Sequence, residues 1–466
     1  MNKKVFLVLL VIVFLGLFLR VYQLAGESLW VDEAISLIEV EQQDINSMNQ
    51  MVYDIELSPY GYHLILRQWV NFFGNSEVSI RLLSVIFSVT SIIVLFFLAS
   101  LLFSRKVALI SCLLMSTAML QIVYAQEARL WTMFGFLALL STYFFFRAIT
   151  LKSNVKNNFW KYYGFITLLS LYVSYIAILL IIIQSSMFFF DKYKKQLKNW
   201  VMVQVILFIL FLPILRYMIS QSINKYPAWI PKLIAIGIPP IIANLGVFFF
   251  ISPIIILIIG LFIFLHFKDN LKKINIKFNP KIFYSFLFFT IIVYLTLFKN
   301  ITRSFAVIRH LFFLLPLVYI GIAKGIDLIN KKKIQSIIII LILLFNSVML
   351  ISYYSNPTKP EWREAVTYVE DNSANTPLIL FDNSGSTVYL FNYYSKFESR
   401  QINLNNNFDG GSDRTELINT LDLEESFWFV SSRDPKKLNF YSSFFNEQFE
   451  QIDKKEFKEV SVFHYR

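Results

Sequence analysis

The sequence predicts an all-α polytopic membrane protein with about eleven transmembrane helices, interfacial helices on the outer face, and a small C-terminal extracytoplasmic α/β domain. Apolar residues make up 56% of the 466 residues, and charged residues make up only 16%. The apolar residues are gathered in long blocks, which a soluble protein of this size could not bury. The segment after residue 353 is instead polar and rich in Asn, and it alternates short apolar runs with polar stretches.

The composition also excludes several classes of protein. Cys112 is the single cysteine, which excludes a disulfide scaffold and a metal site built on cysteine. The four histidines (His63, His266, His310 and His464) are scattered, which argues against a zinc site made of several histidines. The net charge of +12 is typical of basic cytoplasmic loops in a membrane protein rather than of nucleic-acid binding.

The first apolar run, Val5 to Tyr22, follows Lys3 and Lys4. It is long for a signal peptide, and no cleavage site of small residues follows it, so we predict an uncleaved span with its N-terminus in the cytoplasm. A span needs about 20 apolar residues. The other predicted spans are residues 82–103, 107–125, 130–149, 161–175, 176–190, 200–219, 251–266, 282–298, 305–322 and 334–353.

Within this set, residues 161–190 form one apolar block without an internal charge, and we predict a tight hairpin near Ser174. With this count, every dense basic cluster before the tail falls on the cytoplasmic side, as the positive-inside rule requires. Residues 59–73 and 233–249 would break that pattern as spans, so we predict interfacial or re-entrant helices on the outer face. An odd number of spans places residues 354–466 outside the plasma membrane.

The predicted outer loop, residues 23–79, holds nine carboxylates and a single basic residue, Arg67. Its most distinctive element is Trp30-Val31-Asp32-Glu33, directly after the first span. Two adjacent carboxylates beside a tryptophan could form a general base and its hydrogen-bonding partner. A solvated acidic loop without a catalytic role is an equally open interpretation.

Two further polar features lie at outer ends of predicted spans. The segment Tyr124–Trp131 is a charged turn that contains Glu127 and Arg129, although an ordinary polar turn would have the same composition. Arg303, Arg309 and His310 stand at the outer end of a later span. Arginine at this depth can bind a lipid phosphate through two hydrogen bonds, and snorkelling to the interface is the alternative.

These three features, in this order, resemble those of polytopic GT-C glycosyltransferases. The nearest groups are the protein O-mannosyltransferases, the lipid A aminoarabinose transferases and the bacterial galacturonosyltransferase-like proteins. The resemblance is strong over residues 1–150, patchy over 150–330 and weak after 365. It rests on Trp30-Val31-Asp32-Glu33, Ser58-Pro59-Tyr60-Gly61-Tyr62, Phe73-Gly74, Arg81-Leu82-Leu83-Ser84, Tyr124–Arg129, Arg309-His310 with Pro316, and Lys359-Pro360-Glu361-Trp362-Arg363.

The chain departs from the family pattern at two places. The usual double proline of the family is Ser58-Pro59 here. A Thr-His-Tyr motif common after the fifth span appears as Val173-Ser174-Tyr175, so a histidine is missing. The resemblance therefore carries over no histidine at this position for acceptor or metal binding.

The resemblance implies a transmembrane catalytic domain over residues 1–353 and an extracytoplasmic α/β domain over residues 354–466. The implied reaction is inverting transfer of a hexose or pentose from a polyprenyl phosphate to a lipid, glycan or protein acceptor on the outer face of a prokaryotic cell membrane. Consistent with a lipid-linked donor, no nucleotide-binding glycine motif is present. No partner role for nucleic acid is implied.

The resemblance also implies roles for individual residues. Asp32 would be the base, with Glu33 as the second catalytic carboxylate. Glu56 and Glu127 would orient the groups or bind the acceptor or a metal. The donor phosphate would be bound by Arg129, Arg309, Arg303 and His310. No cofactor is required by the sequence, although carboxylates and a phosphate together suit Mg²⁺ or Mn²⁺.

Two other classes of function stay open. A lipid-linked-sugar flippase or other transporter usually carries ionisable residues in the middle of the membrane, whereas the centres of the predicted spans are nearly free of them. A non-catalytic membrane scaffold would not need an acidic loop together with outer arginines. A transfer assay with a polyprenyl-phosphate sugar separates these classes.

Overall fold

The computed structural model describes residues 2–224 and 307–466, apart from residues 57, 151–157, 190, 374–375, 383–384, 405–416, 419–420, 422–423 and 433–434. The chain divides into two compact units. We name the first the membrane unit, and it comprises residues 1–22, 43–74 and 79–350. The second, the C-terminal unit, comprises residues 23–42, 75–78 and 351–466.

Helices account for most of the described chain before residue 356. In chain order they are α1 (Lys3–Val21), α2 (Val31–Val40), α3 (Ile45–Ile55), α4 (Gly61–Phe73), α5 (Glu77–Leu102), α6 (Arg105–Thr117), α7 (Met119–Ala125), α8 (Trp131–Thr150), α9 (Phe159–Val173), α10 (Ala177–Ser185), α11 (Asp191–Lys194), α12 (Leu197–Asn224), α13 (Val307–Leu311), α14 (Leu315–Asp327) and α15 (Lys332–Ser355).

Six helical segments of the described chain are long and apolar enough to cross a membrane, or seven if one bent pair is a single span. The prediction of about eleven spans is therefore not confirmed. The predicted spans at 251–266 and 282–298, and the outer-face segment 233–249, lie outside the described residues. Those at 161–175 and 176–190 coincide with α9 and α10, which have 15 and nine residues and are each too short to cross alone.

The bent pair is α6 and α7, which coincide with the predicted span at 107–125. The two helices meet at Ala118 with a bend of 58°. Ser104 begins α6 by accepting a hydrogen bond from the amide of Val107 at 3.2 Å. A sharp bend of this kind needs partners for the main-chain groups that the break releases.

Polar side chains inside the membrane unit satisfy one another. The hydroxyl of Tyr163 donates to Oε1 of Gln184 at 2.9 Å, and Nε2 of Gln184 donates to Oγ of Ser141 at 3.3 Å. Ser141 and Thr167 share a further bond of 2.8 Å between α8 and α9. Such bonds hold membrane helices together because no water is present to replace them.

The C-terminal unit contains a five-stranded mixed sheet, which confirms the predicted small α/β part of the fold. The strand order is β2-β1-β3-β5-β4, and β1 pairs in parallel with β2 and β3 while β5 pairs antiparallel with β3 and β4. β1 is buried along its whole length, as expected for a central parallel strand. The elements are α16 (Trp362–Asp371), β1 (Leu378–Phe381), α17 (Gly385–Tyr394), β2 (Arg400–Asn403), β3 (Phe427–Ser432), α18 (Pro435–Gln448), β4 (Gln451–Phe457) and β5 (Val460–Tyr465).

Candidate active site

The predicted catalytic carboxylates lie in the first turn of α2, within the C-terminal unit. The amide of Trp30, the residue before the helix, donates to Oε2 of Glu33 at 3.3 Å. Negative charge in a first helical turn is favoured by the helix dipole, which explains why this local sequence starts a helix. Asp32 is half-buried, whereas Glu33 is fully buried.

Glu33 forms a buried ion pair with Lys359. Its Oε2 lies 3.2 Å from Nζ of Lys359, and the two side chains are 0% and 9% exposed. The amide of Lys359 donates to Oε1 of Glu27 at 3.1 Å, and the hydroxyl of Thr358 donates to Oε2 of Glu27 at 2.8 Å. The start of the C-terminal tail thus supports the start of α2. Lys359 stands in a motif of the sequence resemblance, but no role was predicted for it.

A second ion pair in the same unit joins Arg363 and Glu77. Nη2 of Arg363 lies 2.5 Å from Oε2 of Glu77, and the hydroxyl of Tyr394 also donates to Glu77. Tyr394 in turn accepts the amide of Leu29 at 2.7 Å. Burial alone would lower the pKa of Arg363, but the Glu77 carboxylate raises that pKa above its ordinary value. The arginine therefore stays charged and continues to fix the chain next to α2.

In the membrane unit, Arg129 pairs with Glu56. Nη1 of Arg129 lies 2.6 Å from Oε1 of Glu56, and the two side chains are only 7% and 13% exposed. Burial tends to raise the pKa of Glu56, but the charge and hydrogen bond of Arg129, with smaller contributions from His63 and Arg309, bring that pKa below its ordinary value. Glu56 is therefore ionised at neutral pH. Two predicted phosphate ligands, Arg129 and Arg309, act on the same carboxylate.

His63 was not predicted as a site residue, but it lies beside Glu56. A ring nitrogen of His63 and a carboxylate oxygen of Glu56 lie within 4.8 Å of each other, and His63 is fully buried. Carboxylate and imidazole are both ligands of divalent ions, and imidazole suits transition metals better than Mg²⁺. The sequence signal for His63 was its place just after the Ser58–Tyr62 motif of the resemblance, within residues 59–73, which we predicted to be an interfacial or re-entrant helix.

The remaining predicted site residues flank Trp131 at the start of α8. The guanidinium carbon of Arg309 lies 6.0 Å from the centroid of the Trp131 ring, and the His310 ring lies 5.4 Å from it. Glu127 belongs to the turn between α7 and α8, where its carbonyl accepts the amide of Arg129 at 2.9 Å. Arg303 lies outside the described residues.

The chain is similar to one protein-family model and to several solved structures. A family model described as dolichyl-phosphate-mannose-protein mannosyltransferase matches residues 58–217. None of the curated proteins matches the chain. Among solved structures, ArnT from Cupriavidus metallidurans in the apo state has a TM-score of 0.58 at 11% identity, over 99% of this chain and 97% of that chain.

Two other solved structures are similar over most of the chain. ArnT from Cupriavidus metallidurans bound to undecaprenyl phosphate has a TM-score of 0.53 at 11% identity, over 99% of this chain and 97% of that chain. The Archaeoglobus fulgidus oligosaccharyltransferase complex with Zn and sulfate has a TM-score of 0.53 at 13% identity, over 91% of this chain and 68% of that chain. At these identities the likeness establishes the fold.

Proposed function

Because the chain has the fold of the GT-C superfamily glycosyltransferases, we propose that it is an inverting glycosyltransferase. It would move a sugar from a polyprenyl-phosphate donor to an acceptor on the outer face of the membrane. The observation that carries the proposal is the largely buried ion pair in which Nη1 of Arg129 lies 2.6 Å from Oε1 of Glu56. Arginines held in this way suit the phosphate of a lipid donor, and a structure of similar fold binds undecaprenyl phosphate.

Asp32 is assigned as the general base. The acceptor hydroxyl attacks the anomeric carbon from the face opposite the phosphate, the bond from that carbon to the phosphate oxygen breaks, and the hydroxyl proton passes to Asp32. The products are the inverted glycoside and the polyprenyl phosphate. A positioned base contributes about 10²–10⁴-fold to the rate. The ion pair with Lys359 supports an orienting role for Glu33 rather than proton transfer.

Arg129 and Arg309 would stabilise the charge that develops on the leaving phosphate. A guanidinium has five N–H donors, so a bond from Arg129 to Glu56 is compatible with further bonds to phosphate oxygens. His310 and Arg303 stay predicted members of this group. Glu127 stays a predicted acceptor or orienting residue because it precedes Arg129 in the same turn.

A divalent ion would fit beside this cluster, where Glu56 and His63 are the residues that would hold it. Bound there, it would neutralise phosphate charge. The residues of this chain would still bind and orient the donor and accept the proton. We further propose a multi-pass plasma-membrane protein with a cytoplasmic N-terminus and an extracytoplasmic C-terminal unit, acting on a lipid, glycan or protein acceptor.

The test incubates purified full-length protein with a panel of undecaprenyl-phosphate hexoses and pentoses and with candidate lipid, glycan and peptide acceptors. Mass spectrometry detects covalent transfer, and NMR reports the configuration at the anomeric carbon. An inverted glycoside would support the proposal. Movement of the lipid-linked sugar across vesicles without any covalent product would identify a flippase instead.

A further inference from the structure

A fully buried arginine, Arg20, lies in the last turn of α1, within the membrane unit. Its side chain makes four hydrogen bonds. Nε donates to Oγ of Ser88 at 2.7 Å, and Nη1 donates to the carbonyl of Gly16 at 2.9 Å. Nη1 also donates to the carbonyl of Ser116 at 3.1 Å, and Nη2 donates to that of Met115 at 3.2 Å. The last two contacts connect Arg20 to the end of α6.

The position of these two carbonyls explains the contact. A helix leaves its last four carbonyls without intrahelical amide donors, and α6 ends at Thr117. The hydroxyl of Thr117 donates back to the carbonyl of Leu113 at 3.1 Å. The guanidinium of Arg20 supplies donors to Met115 and Ser116. In an apolar setting, unsatisfied carbonyls are costly, so Arg20 stabilises the break that bends α6 against α7.

Gln126 performs the reciprocal role at the other end of α7. Its Nε2 donates to the carbonyl of Arg20 at 3.0 Å and to the carbonyl of Tyr22 at 2.8 Å, so it caps the end of α1. Ser88, which accepts from Arg20, lies with its Oγ 3.5 Å from the carbonyl of Gln121 in α7. Arg20 of α1 thus stabilises the break before α7, and Gln126, which follows α7, stabilises the end of α1.

We propose that Arg20 and Gln126 are positioning residues for the phosphate-binding turn. The turn begins at Gln126, and Arg129 follows three residues later with its bond to Glu56. The inference rests on the proposed function, because the bend between α6 and α7 affects donor binding only if Arg129 binds the donor phosphate. Neither Arg20 nor Gln126 contacts the donor. Each residue positions the turn that carries Arg129, and so determines where the Arg129 guanidinium meets the donor phosphate.

The geometry explains why the residue is arginine. Its planar fork carries donors in fixed directions, and here they serve two consecutive carbonyls and a serine at once. A lysine keeps the charge but has one nitrogen on a flexible stem. Arg20→Lys should therefore loosen the break, and Gln126→Leu should release the end of α1 from the turn.

The experiment measures binding of undecaprenyl phosphate to purified full-length protein. We expect Arg20→Lys and Gln126→Leu each to raise the Kd at least tenfold. Two matched controls should bind as wild type: Arg147→Lys, whose guanidinium stacks on Phe159 at 4.6 Å, and Gln184→Leu, which removes another buried membrane glutamine. If both test variants lose thermal stability to the same extent as the controls and still bind at the wild-type Kd, the residues are merely structural and the proposal is wrong.

A second readout does not depend on the donor. With Cys112→Ser as background and a single cysteine at position 127, maleimide labelling reports the exposure of the turn. Arg20→Lys should change the labelling rate severalfold, and Arg147→Lys should not; an unchanged rate with Arg20→Lys overturns the proposal. If the rate changes but even wild type binds no undecaprenyl phosphate, the placement of the turn is supported and the proposed function fails.

A third variant covers the case in which Arg20→Lys does not accumulate. A Cβ at Gly16 would lie 2.7 Å from Cδ1 of Ile92, 3.1 Å from Oγ of Ser116 and 3.3 Å from Nη1 of Arg20. Gly16→Ala therefore disturbs the same contact without removing a donor. It should weaken binding less than Gln126→Leu but in the same direction. Wild-type affinity in both Gly16→Ala and Gln126→Leu would contradict the inference.

Discussion

Asp32 and Glu33 are neighbours in sequence, yet their environments differ. Glu33 is buried and paired with Lys359, and this ion pair stabilises the position of α2. Asp32 points from the same turn but stays half-buried. The sequence resemblance implied that Asp32 is the base and Glu33 a second catalytic carboxylate, but it could not reveal the ion pair of Glu33, because its partner lies 326 residues away along the chain. The contact with Lys359 supports a structural role for Glu33 and is compatible with the proposed role of Asp32 as the base.

Asp32→Asn is expected to lower turnover by about 10²–10⁴-fold, because an amide cannot accept the acceptor proton. Unfolding temperature and expression should stay near those of wild type. The measurement is transfer from a verified donor to a verified acceptor, with Asp54→Asn, which alters an exposed carboxylate of the same acidic loop, as the control. Wild-type turnover in Asp32→Asn would remove it from the site.

Arg309→Lys keeps the positive charge but replaces a two-pronged donor by a single nitrogen. We expect the Kd for the lipid-phosphate donor to rise about 5–150-fold, from the loss of on the order of 1–3 kcal/mol of charge-assisted hydrogen bonding. Titration of wild type and variant with undecaprenyl phosphate measures it. If Arg309 only snorkels to the interface, lysine will substitute freely, and Arg129 or Arg303 becomes the phosphate ligand.

Glu56 makes stability depend on pH. Its pKa in the folded protein lies below the ordinary value of 4.5, so its contribution is fully present above that pH and is lost as the pH falls through the folded-state pKa. Thermal unfolding from pH 7 down to about pH 3 should therefore show a smaller acid loss in Glu56→Gln than in wild type. An equal loss in both, or the same effect in the exposed control Glu447→Gln, contradicts this.

At the scale of elements, hydropathy located most helices but only some of the points where they are interrupted. The tight hairpin predicted near Ser174 falls where the helices are interrupted, since α9 ends at Val173 and α10 begins at Ala177. The break at Ala118 was not predicted, because Ala and Met are both good helix formers. What stabilises that break is Arg20, a residue of another helix, and local sequence carries no signal for a distant donor.

The contact between α4 and α9 depends on a glycine. A Cβ at Gly61 would lie 2.3 Å from the carbonyl oxygen of Tyr172, so the backbone of one helix would have to move. Gly61→Ala should lower the unfolding free energy by about 1–3 kcal/mol, as overpacking does elsewhere. The control is Gly164→Ala, where the methyl would meet only a side-chain atom, Cγ1 of Val203, at 3.2 Å. Denaturation of both variants in detergent measures the difference, and equal stabilities would show that α4 adjusts freely.

At the scale of the whole molecule, composition separated a membrane part from a polar tail but could not reveal that the tail's unit also includes residues 23–42 and 75–78. From the sequence alone we predicted that those stretches belong to an outer loop, because their partners, such as Lys359 and Arg363, come much later in the chain. Hydropathy alone cannot determine the number of spans where apolar helices are short or bent, as α6, α7, α9 and α10 are.

Topology can be tested directly. We expect the loop 23–79 and the tail 354–466 to lie on the same, outer side of the membrane. Single cysteines at Asn49 and Ser386, in a Cys112→Ser background, should both react with an impermeant maleimide added to intact cells. A cysteine at Lys333, in a predicted cytoplasmic segment, should react only after lysis. Labelling of one outer position from outside and of the other only from inside would contradict the odd number of spans.

The three stretches that make up the C-terminal unit have a consequence for how such a protein can be recombined. A chimera that exchanges only residues 351–466 for the tail of another protein would leave Glu33 without Lys359 and Glu77 without Arg363. A graft that carries residues 23–42 and 75–78 together with the tail keeps both pairs. The tail is therefore not an interchangeable module by itself, because it forms one unit with the acidic helix α2.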